Sequence, residues 1–425
     1  KVATKFIYDE FLGEYKMGIH NYERRYNNAI KRVKKANITS RNRNFIFRMC
    51  DDFIIDGLSQ ARLLKYIDVM LSYAKTINVD FDKLTKDDLK LYVSELQKSN
   101  YSTWTKHTNK IIIRKFFKWL YQCEGKEYPE IVKFITIRMK RSDMNLPSEG
   151  DLLTEKEVKK IIDTAEHPRN KAIISCLWEA GARISEIGNL KIKNVCFDKF
   201  GVVISVKGKT GSRKIRLISS TQYLLAWISI HPLKEDLNSP LWVVIGGPMK
   251  DRNNIKKINY GGLSRIIKLT SKNAGIKKRC NPHTFRHSRA TFMANHLTEF
   301  QMNQYFGWIQ GSNMPSTYVH MSGKSVDDAI YAMNGMKEVE RQETVAKPSF
   351  CPRCEAVNAN DNKFCYKCGA SLNLKSMMEI EQRQKDYFNQ RKKKDQLMDL
   401  FLEDHRVQAL LAEKMLEFRN QGIGF

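Results

Sequence analysis

Apolar residues recur at helical spacing through the first third of the chain. Residues 21–36 read as a basic helix, and the period continues in Phe45, Phe47, Phe53 and Ile55, in the run from Leu63 to Leu71, and in Leu89, Tyr92, Val93 and Leu96. Another helix is predicted over 102–120, opening on the hydroxyl residues Ser102 and Thr103, which can cap it, and ending before Gly125. Four or five helices of this size make a compact bundle. The stretch 141–150 is polar, carries Pro147 and Gly150, and has little periodicity, which marks a linker between two bodies. A helix restarts after Leu152, with Thr154 as its N-cap and Glu157 completing a capping box. Beyond residue 375 the pattern is largely helical, with Leu397, Leu400, Val407, Leu411, Met415 and Phe418 on an amphipathic face that needs a partner surface.

At 425 residues with 42% hydrophobic content, the chain can build two cored domains plus appendages. It contains no run of about 18 apolar residues and no charged n-region followed by an apolar h-region, so a membrane-spanning or secreted protein is not expected and the expected location is cytoplasmic. The chain opens on Lys1 rather than methionine, as a processed or partial N-terminus would.

Charge changes the picture. With 73 Lys+Arg against 46 Asp+Glu the formal net charge is +27, a field that attracts polyanions and points to nucleic acid. It is unevenly placed: +11 over residues 1–149 (29 basic, 18 acidic), +16 over 150–375 (35 basic, 19 acidic) and zero over 376–425 (9 of each). Two basic bodies therefore precede a neutral tail, and the linker would let them close around DNA. On the 102–120 helix, Lys106, Lys110, Arg114, Lys115 and Lys118 are candidate phosphate contacts, because long cations on one helix can reach successive phosphates. A lysine-rich solvated surface is the alternative.

Of the nine cysteines, five are scattered among apolar or basic neighbours, a distribution that suits a reducing compartment. The other four form two Cys-x-x-Cys knuckles, Cys351–Cys354 and Cys365–Cys368. That spacing can give four thiolates at tetrahedral angles and resembles a short zinc ribbon. A segment so poor in apolar groups cannot fold by burial, whereas structural zinc can contribute on the order of 10 kcal/mol. Redox dithiols are the alternative.

Between residues 183 and 318 lies a series of groups suited to a phosphodiester. Arg183 sits in Gly-Ala-Arg-Ile-Ser-Glu186, Lys209 in Gly-Lys-Thr-Gly211, then come His283-Thr-Phe-Arg286, Trp308 and Tyr318. Arginine, lysine, histidine and indole groups can all donate to one phosphate, and a phenol beside them can attack it without metal. Taken singly, Arg183 could merely pair with Glu186, His283 could be a polar core residue, and Tyr318 is one of 17 tyrosines. Their joint order reverses that reading. Lys207 and Lys214 share the lysine's segment; Lys209 is preferred because Gly-Lys-Thr-Gly puts it in a turn. The upstream glycine spacing of a nucleotide-binding loop is missing, so ATP binding is rejected.

This order of motifs, over roughly residues 44 to 325, resembles the tyrosine recombinase family, the phage-integrase and Xer-like enzymes. Trp308 stands where many members have histidine, and the gap to Tyr318 is one residue longer than in many bacterial members; both features place the chain nearer archaeal integrases, of viral or plasmid mobile elements. The resemblance implies a mainly α fold with a small β-sheet (α+β). Its expected parts are a basic helical extension (1–43), a helical core-binding domain that clamps DNA (44–141), a linker (142–150), a catalytic domain (151–340), a zinc-ribbon-like segment (348–372) and an amphipathic helical tail (373–425). The family's lysine lies in a β-hairpin, here matched by Val202–Val206 and Lys214–Ile218.

The chemistry implied is site-specific cutting and rejoining of double-stranded DNA through a 3′-phosphotyrosine on Tyr318. Arg183 and Arg286 would hold the non-bridging oxygens, Lys209 would protonate the leaving 5′-oxygen, His283 would serve proton transfer at the tyrosine and contact phosphate, and Trp308 would add an indole N–H and packing. Glu186 would orient an arginine or histidine. No metal or ATP enters the chemistry; zinc is expected only as a structural ion on Cys351, Cys354, Cys365 and Cys368. The working form would be a homo-oligomer, a tetramer on paired DNA sites, with the tail docking either on its own catalytic domain or on a neighbour. A type IB topoisomerase-like enzyme and a non-catalytic zinc-ribbon DNA-binding regulator are the alternatives.

Overall fold

The computed structural model describes residues 18–77, 79–139, 148–208, 210–245, 255–321, 333–334, 349–359 and 362–420. Lys209 and most of the predicted linker lie outside them. The described chain is mostly helical with a small sheet, as expected, and divides into two compact units: Lys1–Lys193 with Val206–Arg213 and Pro232–Lys324, and Asn194–Ser205 with Lys214–His231 and Ser325–Phe425.

The first unit opens with a helical bundle: α1 (Tyr22–Lys35), α2 (Ser40–Ile55), α3 (Gln60–Ile77), α4 (Lys86–Lys98), α5 (Thr103–Leu120) and the single turn α6 (Glu130–Lys133). Four of these helices, α1, α2, α4 and α5, begin where the sequence offers an acceptor for the orphan amides. The side chains of Asn21, Thr39 and Ser102 accept from the amides of Arg24, Asn42 and Thr105, and Thr85 with Asp88 forms a full capping box. The apolar stripes meet in one core of Ile46, Met49, Phe53, Leu63, Ile67, Met70, Leu89, Ile113, Phe116 and Phe117, to which α1 adds Ala29 and Val33. Of the segment read as an extension, the described helix α1 packs into the bundle, residues 1–17 lie outside the described residues, and residue 43 falls inside α2. One buried polar residue, Asn42, is satisfied on both sides: its Nδ2 donates to Val79 O (2.8 Å) and its Oδ1 accepts from the Phe81 amide (2.7 Å).

The same unit continues with α7 (Glu155–Thr164), α8 (Pro168–Ala180), α9 (Ile184–Gly188), α11 (Tyr260–Asn273), α12 (Pro282–Ala294), α13 (Glu299–Phe306) and α14 (Met314–Met321). The Thr154–Glu157 capping box opens α7 as expected. From Ala172 to Ala180 every residue of α8 is buried, so it is the central post against which α7, α9 and α12 pack.

The second unit holds β1 (Val195–Asp198) and parts of β2 (Gly201–Gly208) and β3 (Gly211–Leu217), the sheet order being β1-β2-β3 with β1 and β2 antiparallel. It also contains α10 (Thr221–Ser229), the two-residue strands β4 (Ser349–Phe350) and β5 (Val357–Asn358), and the tail helices α15 (Leu374–Glu403) and α16 (His405–Asn420). The cysteine segment docks on the β1–β2 turn: the Val357 amide donates to Lys199 O (3.1 Å) and the Tyr366 hydroxyl to Asp198 O (2.9 Å). Leu397, Leu400, Leu411 and Met415 of the predicted amphipathic face are exposed, and Val407 is half-buried. No described helix is long and apolar enough to cross a membrane.

Candidate active site

Two helix C-termini meet at this site, and their carbonyls organise it. A helix leaves its last carbonyls without intrahelical partners and carries partial negative charge there, so cations are favoured. Helix α8 ends at Gly181 (φ +52°) and α13 at Gly307 (φ +62°), both in the left-handed region that suits glycine. Arg286 on α12 donates to Gly181 O (3.0 Å) and Phe306 O (2.8 Å), tying the two ends together. Arg213 on β3 donates to Tyr305 O (2.8 Å), and Arg183 approaches Gly307 O at 3.4 and 3.5 Å. Thr210 also donates to Gly307 O (3.0 Å).

Glu186 fixes two of these arginines. As the third residue of α9 it reaches back to accept the Arg183 amide (2.8 Å), and its oxygens take Nη1 of Arg183 (3.0 Å) and both terminal nitrogens of Arg213 (3.0 and 2.9 Å). It is 2% exposed. Burial alone would push its carboxyl up, but the hydrogen bonds and charges of Arg213, then of Arg183, outweigh that and hold it below the ordinary range. The Arg183 side chain stays 30% exposed, so it can still receive a ligand.

An aromatic stack runs beside the arginines. Phe306 lies on Trp308 (centroids 4.9 Å, 23°), and Trp308 lies on Tyr318 (5.3 Å, 5°). The Arg286 guanidinium sits 5.3 and 5.5 Å from the Phe306 and Trp308 centroids. Burial lowers that guanidinium to about 10, so it is charged at neutral pH. Tyr318, carried on α14, is 3% exposed, and its hydroxyl meets Nδ1 of His287 at 2.7 Å. Burial raises the phenol above its ordinary value, and Arg286 partly offsets this.

Arg183, Arg286, Trp308 and Tyr318 thus lie together around the end of α13. His283 stands at the exposed N-terminal end of α12, its ring lowered by partial desolvation and then by Arg286 and Arg183. Two residues were missed. Arg213 had no signal beyond its place after Gly211, and His287 was passed over although it lies one helical turn from His283 on the same face.

Four of the five candidate phosphate contacts on α5 have protein partners. Lys106 donates to Gln97 O (2.7 Å) and Lys118 to Gly125 O, Arg114 lies 4.0 Å from the Tyr128 ring centroid, and Lys115 4.9 Å from that of Phe53. Partial burial lowers Lys110.

The four cysteine sulfurs all lie within 4.8 Å of one another, with Cys351–Cys368 at 3.5 Å and Cys354–Cys365 at 3.6 Å. Zn–S bonds of about 2.3 Å at tetrahedral angles require sulfurs about 3.8 Å apart, so the set fits that ion. Amides of Arg353 and Lys367 point at Cys351 and Cys365 (both 3.4 Å), as donors to thiolates do. The two knuckles repeat one backbone design: Glu355 and Gly369 both take positive φ after the second cysteine, and their amides return to Cys351 O and Cys365 O (2.9 Å each).

Residues 151–324 match the model of the phage integrase family. The chain is 30% identical over 259 residues to the tyrosine recombinase XerA of Pyrococcus horikoshii, an alignment that covers 60% of this chain and 83% of that protein. The chain belongs to the tyrosine recombinase family. The XerC recombinase of Bacillus pumilus is 24% identical over 61% of this tyrosine recombinase and 86% of its own length. A solved XerH site-specific recombinase, bound to a palindromic difH substrate in a post-cleavage complex, shares the fold at TM-score 0.51 and 17% identity, covering 75% of this chain and 98% of its own.

Proposed function

We propose that this recombinase cuts and rejoins double-stranded DNA at specific sites through a 3′-phosphotyrosyl intermediate on Tyr318. The observation that carries the reading is the stack of Tyr318 on Trp308 beside Arg286, with Arg183 held on the same helix ends. A phosphate entering there meets two planar guanidinium groups already oriented by carbonyls and by Glu186, so little reorganisation accompanies the build-up of negative charge on its non-bridging oxygens. Tyr318 Oη attacks phosphorus, Lys209 protonates the leaving 5′-oxygen, and His283 and Trp308 contact the phosphate. The phosphotyrosine keeps the bond energy, and a 5′-hydroxyl of another strand reverses the step.

Cys351, Cys354, Cys365 and Cys368 would hold one zinc ion, whose role is to fold their own segment. The cations of α5 would exchange their neutral protein partners for phosphate, a charge-assisted gain. The bundle and catalytic helices would clamp the duplex as separate domains joined by the 142–150 linker, and four chains would assemble on paired sites.

Incubating full-length protein with a nicked DNA site, whose cleavage releases a short strand and traps the enzyme, tests this. A covalent adduct that maps to Tyr318 is expected, and Tyr318→Phe should bind the DNA without forming one. An adduct that survives denaturation in Tyr318→Phe overturns the reading.

A further inference from the structure

We infer that His287 is the base that takes the phenolic proton of Tyr318 as the Oη–P bond forms, and the acid that returns it on religation. This rests on Tyr318 being the nucleophile. The motif His283-x-x-Arg286 draws attention to the first histidine, yet the histidine hydrogen-bonded to Tyr318 is His287, with Nδ1 and Oη 2.7 Å apart and ring centroids 5.8 Å apart. The two histidines are four residues apart on one face of α12, their centroids separated by 6.4 Å. His283 is one turn nearer the exposed end of the helix; His287 lies inward, beside the buried phenol.

The direction of the bond is assigned from the two environments. Burial keeps the phenol protonated, so its O–H can donate. Burial, and then the neighbouring His283 and Arg286, push His287 below its ordinary value, which favours the neutral ring; in the inferred step its own proton is placed on Nε2, which leaves the Nδ1 lone pair for Tyr318. Among the described residues, the charged or titratable groups facing His287 are His283 and Arg286 on its own helix and Tyr318 on α14. None is a carboxylate that would hold the ring charged before reaction.

The step balances without a further reactant. An Oη lone pair forms the bond to phosphorus, the bond from phosphorus to the 5′-oxygen breaks with its electrons on that oxygen, the phenolic proton moves to Nδ1, and the leaving oxygen takes a proton from Lys209. In religation the 5′-hydroxyl attacks phosphorus as its proton passes back to Lys209, the P–Oη bond breaks with its electrons on Oη, and the proton on Nδ1 returns to Tyr318. A phenol that is 3% exposed has little water to do the same.

The test is single-turnover cleavage of the nicked site by full-length wild type, His287→Gln and His287→Ala, with DNA binding measured for each to report its fold. Rates are followed from about pH 5.5, below the ordinary histidine value of about 6.5, to about pH 9.5, just below the ordinary tyrosine value of about 10. The wild-type rate should rise with pH through the depressed histidine pKa and then level. Both variants should be slower by roughly 10²–10⁴ at neutral pH and should keep rising toward the phenol pKa, so that the gap narrows in alkali. A variant rate equal to wild type, or a slower rate with the wild-type pH profile, overturns the inference. If Tyr318→Phe still forms the adduct, the nucleophile reading itself has failed. If Tyr318→Phe is dead while His287→Gln cleaves normally, only the role of His287 has failed.

Discussion

The arginine site gathers groups that lie far apart in the chain, Arg286 bonding a carbonyl 105 residues away and Arg183 one 124 away, whereas the cysteine site takes its four thiols from the short span Cys351–Cys368. At the first, cations are held by helix-end carbonyls and one buried carboxylate, an arrangement paid for by burial of the surrounding helices. At the second, the buried core is only Cys351, Ala356 and Cys365, and the four thiols beside it fit an ion that could order the backbone. The difference teaches which site answers to metal: the ribbon should fold or unfold with zinc, while the arginine site should be complete without it.

The largest effect expected from breaking this contrast is on the ribbon. Replacing Cys351 and Cys354 together with serine should release about one zinc per chain and remove on the order of 10 kcal/mol of local folding energy. Amide exchange over 349–372 should rise sharply while the amides of 303–308 stay protected. Cleavage of a single nicked site should persist, as it should for wild type in EDTA, because guanidinium and ammonium groups take the place that metal ions hold in two-metal nucleases. Loss of single-site cleavage in a double mutant whose α8 and α12 remain protected would join the two sites into one.

Next in size is Glu186→Gln. Removing a buried charge that serves Arg183 and Arg213 should lower global stability by about 3–5 kcal/mol in a denaturant titration, with zinc content unchanged. The pH dependence has a definite sign. The folded-state pKa of Glu186 lies below the ordinary 4.5, so its contribution is present above that value and is lost as pH falls through the folded-state pKa. The wild type should therefore lose stability toward acid more steeply than Glu186→Gln, and parallel curves would remove Glu186 from the account.

The same contrast explains what could be read from the chain. The knuckle spacing gave the cysteine cluster directly, because its ligands are local in sequence. The order Arg183, His283-x-x-Arg286, Trp308, Tyr318 gave a candidate catalytic set through its resemblance to a family, which also implied the hairpin strands now seen as β2 and β3, and the capping box at Thr154 was legible from a short-range pattern. Arg213 was not, because nothing in Gly-Ser-Arg-Lys says that this arginine will close on Glu186 and on the end of α13. His287 was not, because which of two histidines on one helical face meets the tyrosine depends on where α14 packs.

The smallest and most discriminating test compares two glycines of like backbone. Gly307 (φ +62°) and Gly369 (φ +73°) each occupy the left-handed region, where alanine costs about 1–2 kcal/mol. A Cβ at Gly369 meets nothing within 4 Å, and the first knuckle already carries a side chain at the matching position, Glu355 at φ +56°. A Cβ at Gly307 would stand 2.7 Å from Nη1 of Arg213. That guanidinium cannot swing aside freely, since it is tied to Tyr305 O and to both oxygens of Glu186. Displacing it would add about 1–3 kcal/mol for polar groups left unpaired. Gly307→Ala should thus be the more destabilising in a thermal melt and should slow cleavage. Gly369→Ala should keep its zinc and its wild-type cleavage rate, changing only the exchange of nearby amides. Equal losses from the two would mean that backbone strain alone sets both costs, and that Arg213 is not the fixed strut its hydrogen bonds describe.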